Sequence, residues 1–305
     1  MKRWLLPTLG LFIVLAAYFY YENSKITAAD TDSASKIVDV TAEKNALTLK
    51  SNAQKNTNNV RGEQFTLYGS NDYAALKAYY EPLAEKGDPY ARRVIAQIYE
   101  YCVGYSRSPK MYTDTINDLI RLKPENKVRL LSIKSKTEQR CALLDNGLPI
   151  TKELIDFSWA QASEAKDSLA TLKIATQLLV MNPDKAPQGK ALNLFIDKAI
   201  NEADPETLFA TGELLSLNNS SSAYHDLSGP INGYAWQIAA CRRGGTSMCG
   251  PSSNLMSSVC TGLGDCTSAN FEAAIRYSTP PSQASQLNDA LVHIENFLHK
   301  KGLKK

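Results

Sequence analysis

One polar stretch of this sequence contains the residue types of a hydrolytic triad. Residues 220–229 read SSSAYHDLSG, so that His225 stands between a run of serines and Asp226. In a serine hydrolase, a histidine takes the proton of a serine hydroxyl while a carboxylate orients the imidazole. Adjacency in a polar loop does not supply that geometry. A hydrolase that uses His225 therefore remains an alternative, and we expect His293 and His299 to lie at the surface of a helix.

Other catalytic signatures are missing from the sequence. It contains no G-x-S-x-G elbow, no H-E-x-x-H pair and no phosphate-binding G-x-x-x-x-G-K-[ST] loop. The segment TGLGDC at Thr261–Cys266 has two glycines, but it ends at a cysteine and follows no strand pattern, which favours a turn. The sequence thus marks no catalytic, cofactor-binding or metal-ligating residue and no small-molecule substrate.

The N-terminal residues have the pattern of a membrane segment. Lys2 and Arg3 precede an uncharged run from Trp4 to Tyr21, which is long enough to cross a bilayer as a helix. We expect residues 1–21 to be an uncleaved anchor in a bacterial-type inner membrane, with the rest in the periplasm. Cleavage near Ala16 with secretion is the alternative.

Two further regions follow the predicted anchor. Residues 22–62 are polar and contain no aromatic side chain, so we interpret them as a flexible linker. Residues 63–299 are predicted to form one folded helical domain, and residues 300–305 form a basic tail. The net charge of +3 gives no reason to expect nucleic-acid binding.

Six cysteines lie in the predicted exported part, and an even number in an oxidising compartment predicts disulfides. They are Cys102, Cys141, Cys241, Cys249, Cys260 and Cys266. We expect the pairs 102 with 141, 241 with 249, and 260 with 266, because each encloses a single insertion or loop. No C-x-x-C pair occurs, which disfavours zinc relative to disulfides, and buried thiols remain the other alternative.

A sharp turn between two amphipathic runs recurs along the domain. Gly87-Asp88 separates two segments with apolar residues at three-and-four spacing, which predicts an antiparallel helical hairpin. Asp167 and Asp204 occupy the same helix-capping position further on, 79 and then 37 residues apart. Gly244-Gly245 marks a fourth, distorted turn. The spacing predicts an all-α fold of antiparallel hairpins stacked as a short, disulfide-braced α-solenoid.

The first turn resembles a Sel1-like repeat, which is related to the tetratricopeptide repeat. The matching residues are Ala84, Gly87, Asp88, Ala91, Ile95, Ala96 and Tyr99. Later copies depart from the pattern: Lys166 and Ala203 stand where Gly87 would be, and Leu178 and Leu214 replace the final tyrosine. The resemblance covers about half of the exported domain, and it implies a scaffold for protein contacts and no reaction.

A basic insertion interrupts the predicted repeats. Residues 103–140 contain nine Lys or Arg against four Asp or Glu, and we expect Cys102 and Cys141 to clamp them; a diverged repeat is the alternative. The cysteine-rich region spans residues 241–266. Possible contacts with a protein partner are side chains on or next to the insertion, namely Tyr101, Tyr105, Arg107, Lys110 and Tyr112.

The sequence as a whole favours a non-catalytic, membrane-anchored scaffold or adaptor that binds another protein. An assembly factor or chaperone for an exported protein, or an immunity protein against a toxin, would have the same layout of anchor, linker and helical body. Loss of one secreted activity on deletion would favour the chaperone, whereas sensitivity to neighbouring cells alone would favour immunity.

Overall fold

The computed structural model describes residues 66–217 and 223–303, and all regular elements within them are helical. The α-helices of these ranges are α1 (Tyr73–Glu85), α2 (Pro89–Ser106), α3 (Pro109–Leu122), α4 (Lys127–Cys141), α5 (Lys152–Glu164), α6 (Ser168–Met181), α7 (Gly189–Glu202), α8 (Pro205–Leu217), α9 (Pro230–Cys249), α10 (Asn254–Leu263), α11 (Phe271–Ser278) and α12 (Pro281–Lys300). Short 3₁₀ turns lie at Pro124–Asn126, Leu144–Gly147, Pro183–Lys185 and His225–Leu227. The all-α prediction is confirmed for this part of the chain.

The predicted anchor (1–21) and linker (22–62) lie outside the described residues, as do the last two residues of the basic tail. Within the described ranges, no helix combines the length and the apolar character that a bilayer span requires.

The three predicted hairpins begin their second helices with the same cap. Asp88, Asp167 and Asp204 each accept a backbone N–H from the residue three positions on, at 2.8–3.1 Å. These bonds satisfy amides that the first turn of a helix leaves free. The hairpins α1–α2, α5–α6 and α7–α8 therefore have the boundaries that the aspartates predict.

The residue before each cap takes a left-handed backbone conformation. The φ angles are +88° at Gly87, +71° at Lys166 and +59° at Ala203. Glycine adopts this region freely, whereas a residue with a Cβ is destabilised there by roughly 1–2 kcal/mol. The later hairpins therefore have the same turn, although Lys166 and Ala203 stand where the first hairpin has glycine.

Contacts between hairpins follow the chain but skip α3 and α4. Helix α2 packs directly on α5, α6 packs on both α7 and α8, and α8 packs on α9. The last long helix, α12, lies on α9 and buries Leu287, Leu291, Ile294 and Leu298.

Helices α8 and α9 approach each other most closely at two glycines. A Cβ atom on Gly212 would lie 2.6 Å from Trp236 Cβ, and one on Gly233 would lie 2.4 Å from Ser216 Cβ. Both distances are shorter than van der Waals contact. The pair therefore sets how near the two helix axes come, since any side chain would push them apart.

Three disulfides join the cysteines in the pairs expected from the sequence. Cys102 of α2 is bonded to Cys141 at the end of α4, so the inserted hairpin α3–α4 is fastened to the array. Cys241–Cys249 closes the end of α9, and Cys260–Cys266 joins α10 to the segment after it. Helix α9 is broken at Gly245, where φ is +65° and ψ is −160°. The expected fourth turn is thus a kink, followed by one short helical turn up to Cys249.

Candidate functional site

A buried arginine of α2 lies against the N-termini of α6 and α8. Arg93 Nη1 is 3.0 Å from Asp204 Oδ2 and 3.8 Å from Asp167 Oδ2, and its Nη2 is 3.9 Å from Glu206 Oε2. Burial acts to lower the pKa of this guanidinium, but the three carboxylates outweigh it and hold the pKa above its ordinary value. Since Asp167 and Asp204 also cap helices, one cation joins the caps of two hairpins.

A cavity of about 350 Å³ adjoins this cluster. Its wall is formed by α2, α6 and α8, by α10 and the end of α9, and by the loop before α1. The apolar part of the wall includes Leu169, Phe209, Met248 and Leu255. A volume near the lower end of the range for ligand pockets is sufficient for one or two side chains or a small molecule.

Glu206 anchors one side of the cavity. It accepts hydrogen bonds from the hydroxyl of Tyr68 and from Gln97 Nε2, the latter at 3.0 Å. Burial, followed by the charge of Glu206, raises the pKa of Tyr68 well above its ordinary value, so this phenol stays protonated and donates. Neighbours on two other segments therefore hold the carboxylate of Glu206 in place.

Lys173 and Glu100 form an ion pair at another side of the cavity. Lys173 Nζ lies 2.7 Å from both oxygens of Glu100, and it is 5.0 Å from the centroid of the Trp159 ring. Burial acts to lower the pKa of Lys173, but Glu100 and then Glu213 raise it beyond its ordinary value. The amine is thus charged, and Glu100 already engages it.

Glu213 has no such partner. It is half-buried in the cavity wall, and no other described residue forms a hydrogen bond or an ion pair with its carboxylate. Burial raises the pKa of the carboxyl; Lys173 opposes this rise and Glu100 adds to it. The cavity therefore contains one half-buried carboxyl group that has no partner among the described residues.

The charge of the wall is unbalanced as a result. Glu100, Glu206 and Glu213 stand against the single cation Lys173 among the residues that line the cavity. A concave site with an excess of one sign of charge in its lining concentrates its potential on the enclosed space, although Arg93 behind the wall lies 3.9 Å from Glu206. The adjoining apolar surface suits methylene groups, so the arrangement favours a cation on an apolar stem, as in a lysine or arginine side chain.

The contact residues predicted at the insertion lie around its junction with α2. Tyr101 is within hydrogen-bond distance of Thr137 Oγ1 (3.2 Å) and also lines the cavity, while Tyr105 and Tyr112 meet edge to face. All three tyrosines are partly buried. Arg107 and Lys110 are exposed, and Lys110 forms an ion pair with Asp114 at 2.7 Å. Their role as partner contacts stays a prediction.

The three histidines lie away from this cavity. His225 Nδ1 is 3.3 Å from Asp226 Oδ1, and both side chains are more than three-quarters exposed. His293 and His299 lie on α12, and each is exposed. Among the described residues, no group of three His, Cys, Asp or Glu side chains has an arrangement that would hold a metal ion. The proposed hydrolytic role of His225 remains a prediction.

The comparisons with protein-family models, with curated proteins and with solved structures give no match for this chain. The resemblance of the Gly87-Asp88 turn to a Sel1-like repeat therefore rests on its residues alone.

Sequence reasoning did not single out Glu213, Lys173 or Glu100. Each is a charged residue on an amphipathic helix, and such residues ordinarily face solvent. A weak signal exists at Glu213, because it follows Gly212 within the apolar stretch TLFATGELLSL. Only the packing of α10 and the end of α9 beside α8 turns that stretch into a cavity wall.

Proposed function

We propose that this protein is a non-catalytic binding protein whose helical domain holds a segment of another protein in the cavity between α2, α6 and α8. In this proposal, residues 1–21 anchor the chain in a bacterial-type inner membrane and residues 22–62 tether the domain in the periplasm. The hairpins form a short α-solenoid, as the repeated aspartate caps, the left-handed residues before them and the bridging Arg93 suggest.

The unpaired Glu213 carboxyl is the observation that carries the proposal. A half-buried carboxylate without a partner destabilises the fold, so a purely structural wall would gain stability from a neutral side chain at this position. A cation that enters the cavity would supply the missing partner. Groups that destabilise a fold in this way are concentrated at binding and catalytic sites.

The cavity also indicates which part of a partner it would hold. A lysine or arginine of the partner would place its charge near Glu213 and its methylenes against Phe209 and Leu255. Lys173 is already paired with Glu100 and makes no direct contact with the carboxylate of Glu213. An apolar neighbour in the partner would fill the remaining apolar wall.

Titration of the full-length protein with hexylguanidinium, a cation on an apolar stem, tests this site. We expect saturable binding by calorimetry, at least tenfold weaker binding to Glu213→Gln, and no binding of uncharged hexanol at the same concentration. Glu125→Gln, which removes an exposed carboxylate far along the inserted hairpin, is the matched control and should bind as the wild type does. Equal affinity of the wild type and Glu213→Gln would overturn the proposal.

A further inference from the structure

The tip of the inserted hairpin carries a second surface with opposite chemistry. Residues 121–129 read RLKPENKVR, with four basic side chains and one carboxylate, Glu125. Two apolar side chains stand between the charges: Leu122 at the end of α3 is 73% exposed, and Val128 at the start of α4 is 83% exposed. They are the most exposed large aliphatic side chains of the described residues.

The apolar surface extends beyond these two residues. Leu131 lies one helical turn after Val128 and is exposed as well. Leu263, at the end of α10, is also exposed and precedes Gly264, whose carbonyl accepts hydrogen bonds from Lys123 and Asn126 at 3.3 Å each. Four exposed apolar side chains therefore surround one hairpin turn.

The tip is held in place at both ends of the hairpin. The Cys102–Cys141 disulfide fastens the base of α4 to α2, and Lys136 Nζ donates to the Ser252 carbonyl at 2.8 Å. The contacts of Lys123 and Asn126 with Gly264 fix the turn itself. A surface that is already ordered loses little conformational freedom when it binds.

Three of the four basic residues of the tip are not used to balance charges within the hairpin. Its other acids have partners: Asp114 pairs with Lys110, Asp118 with Arg121, and Glu138 with Lys134. In contrast, Lys123, Lys127 and Arg129 have no carboxylate within 4 Å among the described residues. Lys123 Nζ donates to the Gly264 carbonyl at 3.3 Å, so its charge, like that of the other two side chains, is not neutralised by a carboxylate.

We propose that this tip binds the surface of an anionic lipid bilayer, with Leu122 and Val128 entering the interface and Lys123, Lys127 and Arg129 near the lipid phosphates. The turn of a hairpin is convex, and protruding apolar side chains within a basic ring suit a soft, flat, negative surface. A protein partner would instead need a concave acidic complement.

The length of the preceding chain favours the same partner. In the proposed function, the anchor ends at Tyr21, and 44 residues separate it from Thr66. A flexible chain of that length has a root-mean-square span of about 36 Å. The domain would stay within reach of the membrane, and a contact that is weak by itself would then be well populated.

Quenching by brominated lipids tests this contact in the full-length protein. We expect Val128→Trp, reconstituted in nanodiscs of anionic brominated phosphatidylglycerol, to show quenching beyond that of the wild type. Val292→Trp is the matched control, because Val292 is an exposed valine on α12. It should show no extra quenching, and neither variant should in zwitterionic nanodiscs.

The basic residues are tested on the same background. Each Lys or Arg near an anionic surface strengthens binding about fivefold, so Lys127→Gln with Arg129→Gln should weaken the contact about 25-fold and abolish most of the quenching. Lack of extra quenching at position 128, or equal quenching at 128 and 292, would overturn the proposal. A fluorescence response of the Val128→Trp variant to polyglutamate but not to lipid would assign the tip to an acidic protein and would also overturn it.

The experiments distinguish failure of the lipid contact from failure of the proposed function, on which the tethering of the domain near the membrane rests. Glu213→Gln should leave the quenching at position 128 unchanged. If the wild type does not remain with the nanodiscs, the anchor has failed. The tip is then tested by adding the Val128→Trp protein to brominated anionic vesicles, where quenching supports the lipid contact and its absence refutes it.

Discussion

Arg93 donates a hydrogen bond to Asp204, with 3.0 Å between Nη1 and Oδ2, although 111 positions separate the two residues in the sequence. Asp204 caps α8, and the same guanidinium lies 3.8 Å from Asp167, which caps α6. A single side chain of the first hairpin thus joins the caps of the second helices of the next two hairpins.

Replacing Arg93 with methionine should therefore destabilise the domain. The methionine would fill part of the space but leave Asp167 and Asp204 unpaired. We expect a loss of about 2–3 kcal/mol in the free energy of unfolding, measured by urea denaturation, because Asp204 is partly exposed. Arg121→Met, which removes an exposed ion pair with Asp118, is the control and should change stability by less than about 0.5 kcal/mol. Equal losses in both variants would contradict a special role for Arg93.

The left-handed residues before the caps give a prediction of opposite sign. Ala203→Gly should stabilise the protein by about 0.5–1 kcal/mol, since glycine adopts the observed φ without strain. Ala191→Gly, in the exposed part of α7, is the matched control and should lower stability by a similar amount because its φ is helical. Thermal unfolding of the two variants measures both effects; a lower melting temperature for Ala203→Gly would refute the assigned turn.

Glu213 should give stability a characteristic pH dependence. Its pKa is raised in the folded state, so the native protein retains this proton at pH values where the unfolded chain has lost it. The free energy of unfolding then falls as pH rises from the ordinary carboxyl pKa through the raised one. Glu213→Gln should remove this fall and stabilise the protein at neutral pH by about 1 kcal/mol.

The control for that variant is Glu100→Gln, which breaks the ion pair with Lys173 and should destabilise the protein. Denaturation at a series of pH values from 4 to 8 compares the two. A loss of stability in both variants at neutral pH would mean that Glu213 is an ordinary structural residue.

Lys136 gives the corresponding prediction at alkaline pH. Burial, with help from Arg140 and Arg129, lowers its pKa from 10.5 to about 8. Between these values the unfolded chain binds more protons than the native protein, so the free energy of unfolding rises with pH across this window. After allowance for screening by solvent, we expect this rise in the free energy of unfolding to be about 1 kcal/mol. Lys136→Met should abolish it. Lys134→Met, which removes a lysine paired with Glu138, should retain it.

The hairpins were predictable because their signals are local. An aspartate cap and the turn before it lie within a few residues, and apolar spacing indicates the face that each helix buries. The cysteine pairs were predictable for a similar reason, since each pair closes one loop or insertion. Gly244-Gly245 marked the break in α9 correctly, but a pair of glycines allows a break in a helix without setting the direction of the next segment, so the sequence did not show that this distorted turn is a kink.

The bridging and cavity residues were not predictable from local patterns. The contact of Arg93 with Asp204 depends on how three hairpins pack, and the close approach at Gly212 and Gly233 depends on two helices meeting. Glu213 was overlooked because its surroundings come from segments far away in the sequence. An unpaired carboxylate becomes visible only when the side chains around it are placed.

Photocrosslinking at the cavity wall tests the central claim most directly. The experiment uses cells of the organism that naturally produces this protein. In these cells, the full-length protein would carry p-benzoylphenylalanine in place of Leu255. We predict a covalent adduct with a second protein on illumination, reduced by hexylguanidinium and by Glu213→Gln, and absent when the probe replaces the exposed Val292. No adduct at position 255, or one that persists equally in Glu213→Gln and at position 292, would contradict a partner bound in this cavity.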